Sequence, residues 1–245
     1  MDQGRFQESV SAYERVIQLD STRVDALIGI TGALTGAGRY GEALAAGSLS
    51  VQLNPHDGMA FNNYGMALME TGDYQSASNC FATALRRDPE NPSILYNCGR
   101  MRMLAGDFQG ALGFFQSATL IDPHHHGARL ETARAYGLLQ QHVEAERASA
   151  ALLASFPDDM EAMEILSAAL SAQGRYLEAL DLLHEILNAR PDNIRCALGA
   201  AECLYMLDDR DGALEQYRYF LSLLDDTAGT SEVRERIAEL EMDLE

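Results

Sequence analysis

The sequence predicts an all-α solenoid of stacked helical hairpins, because three kinds of residue recur every 34 positions without an insertion. Prolines form one series, at Pro55, Pro89, Pro123, Pro157 and Pro191. Alanines form a second, at Ala43, Ala77, Ala111, Ala145, Ala179 and Ala213. The third is Phe6, Tyr40, Tyr74, Phe108 and Tyr176, with His142 replacing one aromatic residue. Such a unit buries its apolar face only by stacking on its neighbours.

Residues 58–91 show how one period divides into two helices. Phe61 and Leu68 share one face of a first helix, as the helical spacing of apolar residues requires. Gly72 provides the turn, and the second helix follows it. Pro89 ends the unit, because proline cannot continue helical hydrogen bonding.

This order of small residue, glycine, aromatic, alanine and proline resembles the tetratricopeptide repeat family over nearly the whole chain. The resemblance implies a right-handed superhelix. Residues 1–23 correspond to the second half of a truncated N-terminal repeat. The region 24–227 then holds six full repeats, at 24–57, 58–91, 92–125, 126–159, 160–193 and 194–227.

The last repeat departs from the pattern, as terminal repeats that face solvent often do. It has charged residues at the turn, aromatic and proline positions, namely Asp208, Arg210 and Asp225. The acidic segment 228–245 then carries an apolar stripe at helical spacing, formed by Val233, Ile237, Leu240 and Leu244. We interpret this segment as a C-terminal capping helix.

The N-terminal helix presents an apolar face whose partner helix is missing from the sequence. Its members are Phe6, Val10, Tyr13, Val16 and Ile17. Two interpretations stay open, because exposed apolar faces normally belong to an interface. The chain is part of a longer array or a larger protein, or this helix docks on a second copy and makes a homo-oligomer.

The amino-acid composition limits the classes of partner that we expect this chain to bind. The net charge of −19 and the pI near 4.6 disfavour nucleic-acid binding. The sequence contains no run of eighteen apolar residues, so we do not predict membrane insertion. The four cysteines form no C-x-x-C pair, so we expect reduced thiols and a cytoplasmic location. All eighteen basic residues are arginines, which favours a bacterial source.

Three short motifs suggest chemistry, but their contexts do not fit it. "GAGRYG" at 36–41 lies in a helix–helix turn, whereas a dinucleotide site needs a strand before it. "HEILN" at 184–188 lacks the second histidine of a zinc protease. His124, His125 and His126 lie in the link after a repeat, so we expect loop filling, with metal binding as the alternative. We predict no catalytic, cofactor or metal residues.

The family resemblance places partner binding on a concave groove formed by the first helices of the repeats. The groove residues it implies are Asn62, Asn63, Met66, Met69, Tyr96, Asn97, Arg100, Met103 and Arg134. Asn63 and Asn97 occupy equivalent positions, and amides suit a peptide main chain because they donate and accept. The methionines would supply an adaptable apolar floor.

Four arginines on two neighbouring first helices invert the sign of the chain's charge locally. They are Arg100, Arg102, Arg129 and Arg134. One hypothesis is a pocket for an acidic segment or a C-terminal carboxylate, which suits the arginine fork. The alternative is that each arginine pairs with a nearby acid such as Glu131.

The function that these observations favour is a non-enzymatic scaffold or adaptor that binds a protein or peptide in its groove. Two alternatives remain at this point. The chain is the repeat arm of a larger enzyme, such as a glycosyltransferase, or it is a self-assembling scaffold.

Overall fold

The computed structural model describes residues 3–224 and 230–243, and this part of the chain contains fourteen α-helices and no strand. The prediction of an all-α fold is therefore confirmed. The chain divides into two compact units, Met1–Ala128 and Arg129–Glu245. No helix within the described ranges is long and apolar enough to span a bilayer. Asp225 and Leu244, which the sequence assigns to the last repeat and the cap, lie outside the described residues.

Each helix pair follows the predicted repeat spacing. The first unit contains α1 (Gln3–Leu19), α2 (Val24–Gly36), α3 (Tyr40–Leu53), α4 (Gly58–Glu70), α5 (Tyr74–Arg87), α6 (Pro92–Leu104), α7 (Phe108–Ile121) and the start of α8 (His126–Leu138). The second contains the rest of α8, α9 (His142–Leu153), α10 (Met160–Ala172), α11 (Tyr176–Ala189), α12 (Ile194–Met206), α13 (Arg210–Ser222) and α14 (Ser231–Asp243).

The turn inside each hairpin uses a left-handed backbone conformation at one fixed position. Gly38, Gly72, Gly106 and Gly174 have φ angles of 76°, 84°, 75° and 78°. The two repeats without this glycine keep the same turn, with φ of 59° at Gln140 and 60° at Asp208. Glycine adopts this region at little cost, whereas other residues do so rarely. The repeat register therefore survives even where the preferred residue is absent.

Small residues allow the two helices of a hairpin to approach closely. The predicted alanine series is fully buried at all six positions, from Ala43 to Ala213. In the third hairpin of the first unit, Phe115 lies directly over Gly99. A Cβ atom on Gly99 would come 2.4 Å from Cε1 of Phe115, which is far inside van der Waals contact. The glycine is thus needed for this aromatic ring to pack in the core.

The structure corrects the expectation that the apolar face of α1 has no partner. Helix α2 covers it, and Val10 is fully buried in the shared core. The rings of Tyr13 and Phe6 fill the spaces above Gly29 and Gly36 of α2. The stacking of one repeat on the next supplies the partner that a single hairpin lacks. Self-association through α1 stays a prediction, but the apolar face of α1 is buried against α2 without it.

Helix α14 packs against α12 and α13 through its apolar stripe. Leu240 is buried with Tyr217, Ala201 and Ala213, and Val233 and Ile237 pack against the same cluster. The guanidinium of Arg236 donates to the hydroxyl of Tyr217 at 3.0 Å. Tyr217 is buried, and this bond gives its hydroxyl group a hydrogen-bond partner.

The middle histidine of the triplet caps a helix. Side chains at 34-residue spacing accept backbone N–H bonds where the first helices begin, at Asp57, Asn91, Asp159 and Asn193. His125 falls in the same series, and its Nδ1 accepts from the backbone N–H of Ala128 at 3.1 Å. Its ring also lies 5.0 Å from that of Tyr96. The link is thus built around an N-cap.

We expect replacement of this cap to weaken the start of α8. His125→Ala removes the acceptor for the Ala128 N–H and should lower the free energy of unfolding by about 1 kcal/mol. His125→Asn restores the residue type found at two equivalent caps and should keep most of the stability. Urea unfolding measures both. An equal loss in His125→Asn and His125→Ala would contradict the capping role.

Candidate functional site

Three asparagines in the first unit form a continuous chain of hydrogen bonds. We refer to Asn62, Asn63 and Asn97 as the asparagine chain. Nδ2 of Asn97 donates to Oδ1 of Asn62 at 2.9 Å. Nδ2 of Asn62 donates to Oδ1 of Asn63 at 3.1 Å, and Nδ2 of Asn63 donates to the carbonyl of Ile28 at 2.9 Å. The chain therefore links three successive first helices, α2, α4 and α6.

The direction of the asparagine chain is fixed by its last member. A backbone carbonyl can only accept, so Asn63 must turn its amino group towards Ile28, and the other two amides follow. Oδ1 of Asn97 is left buried without a partner in the described part of the chain. Asn62 and Asn97 are buried and use their amides within the protein, whereas Asn63 is partly exposed. The grip of Asn63 and Asn97 on a partner's main chain stays a prediction.

The other predicted groove residues of the first unit divide into two groups. Met69 is buried in the hairpin core and is not available to a partner. The partly exposed members are Asn63, Met66, Tyr96, Arg100 and Met103. The guanidinium carbon of Arg100 lies 6.0 Å from the centre of the Tyr96 ring, so these two side chains form one patch.

The four arginines singled out in the sequence are already engaged. Arg100 pairs with Glu70 at 3.4 Å, and Arg102 pairs with Asp107 at 3.2 Å. Arg134 lies between Glu161 and Glu131, at 2.8 Å and 3.4 Å. Three of the four arginines are thus paired with carboxylates, which supports the ion-pair alternative.

Arg129 is engaged differently from the other three. It donates to the backbone carbonyl of Ala151 at 2.6 Å and to the hydroxyl of Ser155. An anion that entered here would have to displace these existing bonds. The positive charge that these four arginines bring together in the sequence is therefore already engaged by partners within the protein.

The second unit contains a cavity of about 720 Å³ on the face formed by first helices. We refer to it as the α10 cavity, because α10 supplies more of its lining than any other helix and residues of α8, α9, α11 and α12 complete it. Its lining includes the small residues Ala168, Ala172 and Gly199 together with Ile165 and Met206. A volume in the range of roughly 300–1,000 Å³ is typical of ligand sites.

Charged side chains surround this apolar floor. The two arginines of the lining each meet a glutamate, with Arg134 on Glu161 at 2.8 Å and Arg195 on Glu164 at 2.6 Å. Glu202 also lines the cavity and receives a longer contact of 3.3 Å from Arg236. The site thus combines an apolar floor with a rim on which carboxylates outnumber guanidinium groups.

Comparison with known proteins settles the family. One tetratricopeptide repeat model matches residues 1–58 and 64–126, and a second matches residues 102–170 and 170–218. The chain belongs to the tetratricopeptide repeat family. The solenoid fold class predicted from the 34-residue period is confirmed with it. No curated protein matches the sequence of this tetratricopeptide repeat protein.

Solved structures share the tetratricopeptide fold at low identity. YrrB, described as a TPR protein with an unusual peptide-binding site, is 20% identical with a TM-score of 0.60, covering 76% of this chain and 96% of its own. PilF of Pseudomonas aeruginosa is 17% identical with a TM-score of 0.76, at 90% and 98% coverage. MamA of Desulfovibrio magneticus RS-1 is 19% identical with a TM-score of 0.64, at 68% and 94% coverage.

The tetratricopeptide register explains why the α10 cavity is open. One groove position carries Met66, Arg100 and Arg134 in three successive repeats and then Ala168 in the fourth. At this point the side chain shrinks to a methyl group, and the next first helix contributes Gly199, three residues before the equivalent position at Glu202. The predicted groove residues were side chains able to contact a partner directly, whereas this opening depends on small residues.

Cys196 and Cys203 also line the cavity of this tetratricopeptide repeat protein, but they are poor nucleophiles. Burial raises the pKa of the Cys196 thiol to about 11 and also raises the pKa of Cys203. The sulfur of Cys203 lies 3.2 Å from the hydroxyl of Ser171. Since the thiolate is the reactive form, these side chains serve as apolar lining. Across the described ranges, no three His, Cys, Asp or Glu side chains are grouped to hold a metal ion.

We expect all the thiols to resist alkylation in the folded protein. Burial raises the pKa of Cys80 and Cys98 to about 11 as well. At pH 7.5 a shift of this size lowers the thiolate fraction roughly a hundredfold relative to a free cysteine. Mass spectrometry after iodoacetamide treatment should show slow labelling in buffer and rapid labelling in urea. Equal rates in both conditions would contradict the burial of these thiols.

Proposed function

We propose that this tetratricopeptide repeat protein is a non-catalytic scaffold that binds a segment of a partner protein in the α10 cavity. The observation that carries the proposal is the cavity itself, about 720 Å³ in volume, on the first-helix face of three successive repeats. Its lining offers apolar contact from Ile165 and Met206 and polar groups from Ser171 and Glu202. Such a combination holds a ligand by apolar burial and orients it by a few polar contacts.

The chemistry of the cavity supports binding over catalysis. Its arginines and glutamates pair with one another, and its thiols have raised pKa values. A catalytic site needs an activated nucleophile or an acid and base poised near the working pH. The thiols of the lining are not activated in this way, and Glu161 and Glu164 are held in ion pairs. YrrB, a TPR protein with an unusual peptide-binding site, has the same fold, which supports a polypeptide ligand.

The exposed groove residues of the first unit form a proposed secondary contact. Met66, Tyr96, Arg100 and Met103 are partly exposed on α4 and α6. We propose this patch as a contact of its own, independent of the cavity in the second unit. The buried members of the predicted set, Asn62, Met69 and Asn97, take no part in this proposal.

A displayed library of random sixteen-residue peptides tests the proposed function. We expect repeated selection on the immobilised intact protein to enrich a family of peptides that bind it in solution. Binding of each enriched peptide is then measured by fluorescence anisotropy. A library that shows no enrichment over an empty surface would contradict the proposal of a peptide-binding scaffold.

A further inference from the structure

We infer that the α10 cavity takes a segment whose apolar side chains are flanked by lysine or arginine, and not an acidic or carboxyl-terminal segment. This inference rests on the proposed function and specifies the chemistry of the partner. The charged side chains of the lining are three glutamates and two arginines, namely Glu161, Glu164, Glu202, Arg134 and Arg195. The carboxylates are in excess, so the cavity favours positive charge.

The arginines of the cavity are each paired with a glutamate, although the side chain of Arg195 is 76% exposed. Arg134 is held by Glu161 and Glu131, so two carboxylates neutralise one guanidinium. Arg195 is held by Glu164 through a short contact of 2.6 Å. A ligand carboxylate would enter among these acids and would have to break an existing pair. The lining of the cavity therefore carries an excess of negative charge, whereas the arginines in the sequence suggested a positively charged site.

Two carboxylates are available to a cationic ligand. The side chain of Glu161 is 59% exposed and that of Glu202 is 52% exposed, although both line the cavity. Arg236 contacts Oε1 of Glu202 at 3.3 Å, a longer distance than the 2.8 Å between Arg134 and Glu161. A lysine or arginine of the ligand would add a charge-assisted hydrogen bond at either residue.

The charge of the surrounding unit extends this preference. Residues 129–245 contain ten arginines against 24 aspartates and glutamates. A basic segment would be attracted over a distance, whereas a second copy of this acidic chain would be repelled. The floor at Ala168, Ala172 and Gly199 provides room for apolar side chains between the charged groups. One occupant satisfies both features: an apolar segment with basic flanks.

Sequencing of the peptide pool selected on the intact protein tests the inference. We expect lysine and arginine to be enriched over the unselected library and aspartate and glutamate to be depleted. The affinity of the best peptide should fall as the salt concentration rises. A pool enriched in acidic residues, or one without charge bias, would overturn the inference while leaving the proposed function in place. An empty pool would overturn both.

A charge variant locates the preference in the cavity. The double variant Glu161→Gln/Glu202→Gln should weaken the best basic peptide about tenfold. The matched control Glu144→Gln/Glu185→Gln removes two exposed carboxylates that do not line the cavity and should leave affinity nearly unchanged. Circular dichroism checks that both variants are folded. Equal affinities for the two double variants would overturn the assignment to this cavity.

Discussion

Ala168→Trp is expected to abolish peptide binding without unfolding the protein. Ala168 is exposed at the middle of α10 and lines the cavity, so an indole at this position would occupy space meant for the ligand. The helix itself should tolerate the change, because an exposed tryptophan costs well under 1 kcal/mol of helix propensity. We expect the affinity of selected peptides to fall by at least about tenfold, as measured by fluorescence anisotropy.

A matched variant separates loss of the site from loss of the fold. Ala150→Trp places the same side chain on an exposed position of α9, in the same unit but outside the cavity lining. This variant should bind peptides as the parent protein does. Both variants should keep the parent's thermal midpoint within a few degrees. Unchanged binding by Ala168→Trp would place the peptide site elsewhere.

Asn62→Leu is expected to produce a large loss of stability. Asn62 is the middle of the asparagine chain and is only 1% exposed. Leucine has the same branching at Cγ but offers neither donor nor acceptor, so Nδ2 of Asn97 and Oδ1 of Asn63 lose their partners. Each buried group without a partner costs roughly 1–3 kcal/mol. We expect the free energy of unfolding to fall by about 2–4 kcal/mol in urea titrations.

Two further variants test whether the asparagine chain accounts for this loss. Asn79→Leu changes an exposed asparagine of the same unit and should have little effect. The double variant Asn62→Leu/Asn97→Leu removes the orphaned amide of Asn97 and should be more stable than Asn62→Leu alone. If Asn62→Leu cost no more than Asn79→Leu, the hydrogen-bonded chain would contribute no net stability.

The hairpin architecture could be predicted from the sequence because it depends on local chemistry repeated at a fixed interval. Gly72 indicated one turn, and Gly38, Gly106 and Gly174, which lie in the same register, share its positive φ. The same interval placed a turn at Asp208, where the structure keeps it without glycine. It also contained an overlooked signal, since His125 falls in register with the capping residues Asp57 and Asn91.

The candidate site was harder to predict because it depends on contacts between repeats. Asn63 and Asn97 share a register position, but the sequence does not show that Asn62 lies between them and uses their hydrogen bonds. The sequence left open whether the arginines form an anion pocket or ion pairs, because some of their partners are distant in sequence, as with Arg134 and Glu161. The α10 cavity arises from missing side-chain volume at Ala168 and Gly199, which a search for chemical groups overlooks.

The location of a bound peptide tests the central claim most directly. Amide hydrogen exchange of the intact protein should be measured with and without the best selected peptide, at saturating concentration. We expect protection to increase in α10 (Met160–Ala172) and α12 (Ile194–Met206), whose side chains line the cavity, and to stay unchanged in α13 (Arg210–Ser222) and α14 (Ser231–Asp243), whose side chains do not. Protection confined to the first unit, with none in α10 or α12, would contradict the assignment of the binding site.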